Sequence, residues 1–339
     1  MNIDILKKED IRNVFPKRDE NANKGDFGYV GIMGGSIEYS GAVKLANLSL
    51  ASLTAGAGVV RVIVPETIAD GILPYLLEQT LALIPDKDGH MIFDKEKIDK
   101  ALSKLKVLAI GMGWGEGTDN EKILRYILEN YKIPLVIDAD GLNALSKMNK
   151  EILNKTKCKV ILTPHLKEFE RISGYNFEDI KEKPQELAEE FAKKYNVILL
   201  LKGHRTIVTN GEEGYFVEKG CAGMATAGSG DVLSGILTGI LGYNKPSILS
   251  VAAGAYLAGL AGEIAQNKLN DISMKASDTI ANIPEAINKI RQWDKEGRSI
   301  FFHFSFIKKW EKMLRPLLSQ FKLIYKILFY LSLRLHIRL

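Results

Sequence analysis

Cysteine is nearly missing from the 339 residues: Cys158 and Cys221 are the two present, far apart and without CxxC or paired Cys/His spacing. That excludes a disulfide framework and a structural zinc site, and it fits a reducing compartment, so a cytoplasmic location is expected. The first 26 residues alternate charge and hold no apolar core, which excludes a secretory signal peptide. No phosphate loop ending in Lys-Ser/Thr occurs anywhere in the chain. Excess positive charge is also missing from most of it. The net +5 arises at the end: residues 295–339 carry ten Lys/Arg against two Glu, net +8, whereas residues 1–294 carry 36 basic and 39 acidic side chains, net −3. A mildly acidic body has no footprint for nucleic acid, and no such partner is expected.

What remains is ordinary globular composition, 46% hydrophobic and 26% charged, in a length that α/β folds use as one unit with a large core. Residues 29–33 read as a short buried strand broken by Gly34-Gly35-Ser36. A small-residue helical run over 42–54 follows, then Ala55-Gly56-Ala57-Gly58 and a second strand over 59–64. Strand, turn, helix, turn, strand is a right-handed βαβ crossover between parallel strands. The pattern recurs, with strands over 107–110, 134–138, 160–162 and 197–201 and helices over 120–131, 142–148 and 184–195. An Asn210-Gly211 hairpin joins 206–209 to 214–218, and helices follow over 231–242, 246–267 and 277–290. The alternation predicts a three-layer α/β/α sandwich on a mostly parallel sheet, where ligands bind beyond the C-terminal strand ends.

The polar motifs sit just after predicted strands. Gly228-Ser229-Gly230-Asp231 opens an apolar helix, so unpaired N–H groups and the helix dipole make an anion site, with Asp231 as dipole partner or functional carboxylate. Gly111-x-Gly113-x-Gly115 is a structural turn or a close approach to a ligand. Asp138 and Asp140 end a strand, fit to hold a metal or sugar hydroxyl, or to cap a helix. His165 and Glu168 lie one turn apart and face one side, or else Thr163 and Glu168 form a cap. Lys202-Gly203-His204-Arg205-Thr206 puts two cations and a hydroxyl in a tight turn, suited to nucleotide phosphates or simply solvated.

Together these motifs resemble the ADP-dependent NAD(P)H-hydrate dehydratases, of the ribokinase-like fold. The resemblance rests on residues 25–64, the glycine turn, Asp138-Ala139-Asp140-Gly141-Leu142-Asn143-Ala144-Leu145, Thr163-Pro164-His165-x-x-Glu168, Lys202-Gly203-x-x-Thr206 and Gly223 through Leu233, and runs from about 10 to 292. It implies repair of the S-epimer of hydrated NADH or NADPH (NADHX, NADPHX), with ADP as phosphoryl donor, Mg²⁺ as cofactor and release of AMP and phosphate. It implies Asp231 as catalytic base and N–H groups over Ala227, Gly228, Ser229 and Gly230 as the anion hole. Lys202, Gly203, His204, Arg205 and Thr206 would line the nucleotide, and Ala42, Gly113 and His165 the hydrate pocket. A homo-oligomer, often a tetramer, is implied, and a dehydratase-only protein without the epimerase domain many members carry. Two local departures stand out: Leu166-Lys167 replaces Pro-Gly after the histidine, and Ala227-Gly228 replaces two glycines. The rival readings are a ribokinase-like sugar or hydroxymethylpyrimidine kinase, and a non-catalytic nucleotide-binding protein docked to a membrane by its tail.

The domain is expected over 1–293, with a basic, apolar extension over 294–339. Lys322 and Lys326 interrupt any stretch there long enough to span a bilayer, leaving a basic amphipathic helix suited to weak membrane-surface contact or to a partner.

Overall fold

In a computed structural model, residues 3–48 and 51–292 are described; the extension over 294–339 and its expected helix lie outside them. The sheet strands are β1 (Asp4–Ile5), β2 (Tyr29–Met33), β3 (Val59–Pro65), β4 (Thr80–Ile84), β5 (Val107–Ile110), β6 (Leu135–Ile137), β7 (Val160–Leu162), β8 (Ile198–Leu201), β9 (Thr206–Thr209) and β10 (Gly214–Val217). They form one sheet in the order β1-β10-β9-β8-β7-β6-β5-β2-β3-β4, antiparallel only across β8-β9 and β9-β10. The helices that matter here are α1 (Ser40–Leu48), α2 (Asn120–Asn130), α3 (Asp140–Lys147), α4 (Leu166–Ser173), α5 (Pro184–Tyr195), α6 (Ser229–Leu241), α7 (Ile248–Lys268), α8 (Ala276–Ala281) and α9 (Ile283–Arg291).

Successive strand residues face opposite sides, which gives the sheet two apolar cores. Val107 and Ala109 of β5 join the core under α6 and α7, while Leu108 and Ile110 join the one under α2 and α5. Both faces are covered, so these strands are apolar throughout, as parallel strands require. Helix α7 is long and apolar enough to cross a bilayer, but most of it is buried in the core. The predicted three-layer sandwich is the fold observed.

Several boundaries differ from expectation. The helix expected over 42–54 is two helices, α1 and Ala51–Thr54, with 49–50 outside the described residues. The one expected over 277–290 breaks at Asn282, whose side chain turns back to the Asp278 carbonyl (2.8 Å) just before Pro284. Strand β4 and a helix over Lys95–Leu102 were not predicted. In β4 only Ile84 is fully buried, so this edge strand lacks the continuous apolar signal of its central neighbours.

The topology places the site. From β2 the chain runs outward through β3 and β4, then returns to β5 on the other side of β2. At such a reversal the loops leaving neighbouring strands diverge and open a crevice. The turns after β2, β5, β6, β7 and β8 all leave from C-terminal strand ends, and Gly230 in the first turn of α6 faces Asp138 after β6 and Lys202 after β8.

Candidate active site

Gly228 caps α6 in a left-handed conformation, φ +91°, and a Cβ there would collide with Leu45 Cδ1 of α1. The left-handed backbone favours glycine at 228, and a side chain there would also have to displace Leu45. Ala227 is not among the residues with positive φ, so alanine in place of the first family glycine meets no backbone conflict. Gly228→Val is expected to cost on the order of 3 kcal/mol, read as a fall in thermal midpoint. Ser229 N–H closes on the Thr226 carbonyl (3.4 Å) and Val232 N–H on that of Gly228 (3.0 Å). The N–H groups of Gly230 and Asp231 lie between them, at the positive end of the helix dipole. Ser229 Oγ is buried with no protein partner, one more donor for an anion.

Beneath this turn lies a buried ion pair. Lys202 Nζ, at the end of β8, is 2.8 Å from Asp138 Oδ1 and 3.6 Å from Glu168 Oε2. Asp138 Oδ2 accepts from Ser234 Oγ at 2.7 Å. Burial alone would lower the Lys202 ammonium, but Asp138 and Glu168 outweigh it and hold the group above the usual lysine range. Asp231 is pushed up to about 7, first by burial and then by the negative charge of Asp138, with Lys202 opposing. It therefore stands near half-ionised at neutral pH, which suits a group that takes a proton and returns it.

His165 caps α4: its Nδ1 accepts from Lys167 N–H (3.1 Å) and Glu168 N–H (3.3 Å), while Glu168 Oε2 accepts from His165 N–H (2.8 Å). The capping arrangement is real, but its residue is His165; Thr163 is buried and bonds the Ile137 carbonyl. Leu166-Lys167 simply form the first turn of this helix. Burial lowers the imidazole further, so it is neutral at pH 7, with Nε2 carrying the proton. A parallel bridge between His165 and Lys202 sets the two motifs side by side.

Asp140 clamps the glycine turn, accepting from Gly115 N–H at 2.8 Å, and does not cap α3. Gly113, φ +61°, packs on Tyr39 and Ala42, and a Cβ there would lie 2.8 Å from Ala42 Cβ. Ala42 and Gly113 are thus neighbours, and Leu45, one turn along α1, reaches Gly228. On the other side of Gly230 and Lys202 opens a cavity of about 450 Å³. Gly203, His204 and Thr206 line it with residues 218–222, 224 and 225 and the small side chains of α7, Ala255, Ala258 and Gly259. Arg205 lies outside that lining, held by Glu218 (2.8 Å) over the Phe216 ring (3.8 Å). Ala227 and Gly228 also stand outside it. Ser234 escaped the sequence reading. Its spacing of three from Asp231, one turn on the same helix face, was the available signal.

The family described as NAD(P)H-hydrate dehydratase matches residues 30–285. The chain belongs to this family. Among relatives of the NAD(P)H-hydrate dehydratases, the ADP-dependent (S)-NAD(P)H-hydrate dehydratase of Nitrosopumilus maritimus is 32% identical, covering 84% of this chain and 96% of that one. The bifunctional NAD(P)H-hydrate repair enzyme of Moorella thermoacetica is 34% identical over 83% of this chain and 53% of its own length. The chain spans about half the length of the bifunctional relatives it matches. The ADP/ATP-dependent NAD(P)H-hydrate dehydratase of Bacillus subtilis, co-crystallised with ATP and Mg²⁺, superimposes with a TM-score of 0.74 at 25% identity over 86% of this chain and 99% of that one.

Proposed function

We propose that this chain dehydrates the S-epimer of NADHX or NADPHX with ADP, returning NADH or NADPH and releasing AMP and phosphate. One observation carries the reading: a partly buried carboxylate, Asp231, shares a helix turn with free N–H donors at the edge of a nucleotide-sized cavity. ADP would occupy that cavity, with its terminal phosphoryl at the turn of α6. The hydrate would enter beside Ala42, Gly113 and His165, with its ring hydroxyl toward Asp231.

The chemistry follows from leaving groups. Hydroxide leaves poorly and phosphate leaves well. Asp231 takes the hydroxyl proton while that oxygen forms a bond to the β-phosphorus and the bond to AMP breaks. The N–H groups of Gly230 and Asp231 and the Ser229 hydroxyl stabilise charge on the transferring phosphoryl. The carbon–oxygen bond then breaks, phosphate leaves with the electron pair, and loss of the neighbouring proton restores the ring double bond. Mg²⁺ would neutralise donor phosphate charge; among the described residues no three His, Cys, Asp or Glu side chains converge into a cage, so its ligands would be mainly phosphate and water. In the same proposal the chain forms a homotetramer, works in the cytoplasm and makes weak membrane contact through residues 294–339.

The test is ADP-dependent conversion of the S-hydrate to NADH, followed by absorbance. Turnover is expected with ADP and slower turnover with ATP; no turnover with either, or a faster rate with ATP, contradicts the reading. Because Asp231 must be ionised to accept a proton, the rate should rise with pH to a plateau, with a midpoint near 7.

A further inference from the structure

Asp138 is a buried, doubly held carboxylate that the chemistry above does not use. It is 1% exposed, and both its oxygens are engaged, Oδ1 by Lys202 and Oδ2 by Ser234. Its backbone is fixed as well: its N–H donates to the Ile110 carbonyl (3.1 Å) and its carbonyl accepts from Gly141 N–H (2.9 Å). The next residue, Ala139, adopts φ 48°, ψ −119°, a conformation that costs a non-glycine residue on the order of 1–3 kcal/mol. Strain of that kind persists where the surroundings impose it. A Cβ on Gly230 would lie 3.5 Å from Lys202 Nζ and 3.7 Å from Asp138 Oδ2, so the pair forms the floor beneath the α6 turn.

We infer that Asp138 is a positioning residue for this site: by gripping Ser234 and Lys202 together it ties the turn carrying Asp231 to the ends of β6 and β8, and it fixes a negative charge beside the base. Ser234 stands one helical turn after Asp231, so a bond at 234 sets the height and rotation of the first turn. The grip on Lys202 keeps the ammonium low, between strand ends, where it balances the carboxylates instead of saturating Asp231. The charges that reach Asp231 are those of Asp138, Lys202, Asp140 and Glu168. His165 stands beside Glu168 and is neutral; from the packed helices, Lys44 of α1 turns to the Tyr75 ring (4.7 Å), and Asp278 of α8 is paired with Lys275 (3.2 Å). None of these replaces Asp138.

The inference rests on the dehydratase reading only for its rate measurement. Two variants separate its parts. Asp138→Asn keeps the shape and removes the charge, so the Asp231 carboxyl, followed by carbon NMR in the ligand-free protein, should titrate about one pH unit lower, with the pH–rate midpoint moving equally. Ser234→Ala keeps the charge and removes the tie, so amide exchange over 232–234, where the N–H groups are helix-bonded, should quicken about tenfold with the titration unmoved. If Asp138→Asn does not fold, the Ser234→Ala exchange decides. An unchanged Asp231 titration in folded Asp138→Asn, or unchanged exchange in Ser234→Ala, overturns the inference. Absence of wild-type turnover with both NMR and exchange results as expected would sink the dehydratase reading alone.

Discussion

Asp231→Asn is expected to lower turnover between about 10²- and 10⁴-fold, to leave ADP affinity within a few-fold, and to make the protein more stable at pH 8. The two effects share one cause. Burial and the Asp138 charge raise Asp231 to about 7, well above its value in an unfolded chain. Stability from a group raised in this way is fully present below the unfolded value and is lost as pH climbs through about 7. The ionised carboxylate is thus a cost of the folded state at pH 8, on the order of a few kcal/mol, which the neutral amide removes. Thermal melts of the two proteins should coincide near pH 4 and separate by several degrees at pH 8. Single-turnover kinetics and calorimetry with ADP complete the test. Near-normal turnover removes Asp231 from the chemistry; equal stability at pH 8 removes the unfavourable charge.

Lys202→Met should have the largest effect on the fold. It deletes a cation set between Asp138, Glu168 and Asp231, of which Asp138 and Glu168 are buried. Removing one partner of a buried pair leaves charge without compensation and costs about 3–5 kcal/mol, or roughly 10 °C in a domain of this size. The loss should depend on pH. Without the ammonium the carboxylates bind protons more tightly in the folded state, so the deficit grows as pH rises through neutrality and shrinks in acid. Melting curves of both proteins at pH 5 and pH 8 measure it directly, and a pH-independent deficit would mean that lost side-chain packing, not charge, dominates. Because Lys202 is already paired beneath the α6 turn, ADP affinity in folded Lys202→Met should fall less than the stability does.

Much of this was legible in the sequence because the signals are local. Strand 29–33, strand 107–110 and helix 184–195 stand where residue patterning put them, since a fully buried strand and an amphipathic helix each announce themselves by periodicity. The edge strand β4 did not: with one face half open and a single neighbouring strand, it carries no such signal. At the site, the glycines and Asp231 were visible for the same local reason, a turn that only glycine can make followed by a helix start.

Partnership was not visible. The α/β/α layering, the order of the turns and the residue types gathered beyond the strand ends follow from neighbours along the chain. Tertiary structure alone decided that Lys202 lies between Asp138 and Glu168, that Arg205 turns to Glu218 and Phe216, and that Ser234 reaches across 96 residues to Asp138. The ionisation of Asp231 belongs with these. It is set by burial and by the charges of Asp138, Lys202, Asp140 and Glu168, and both fall off with distance in space, whatever the separation along the chain.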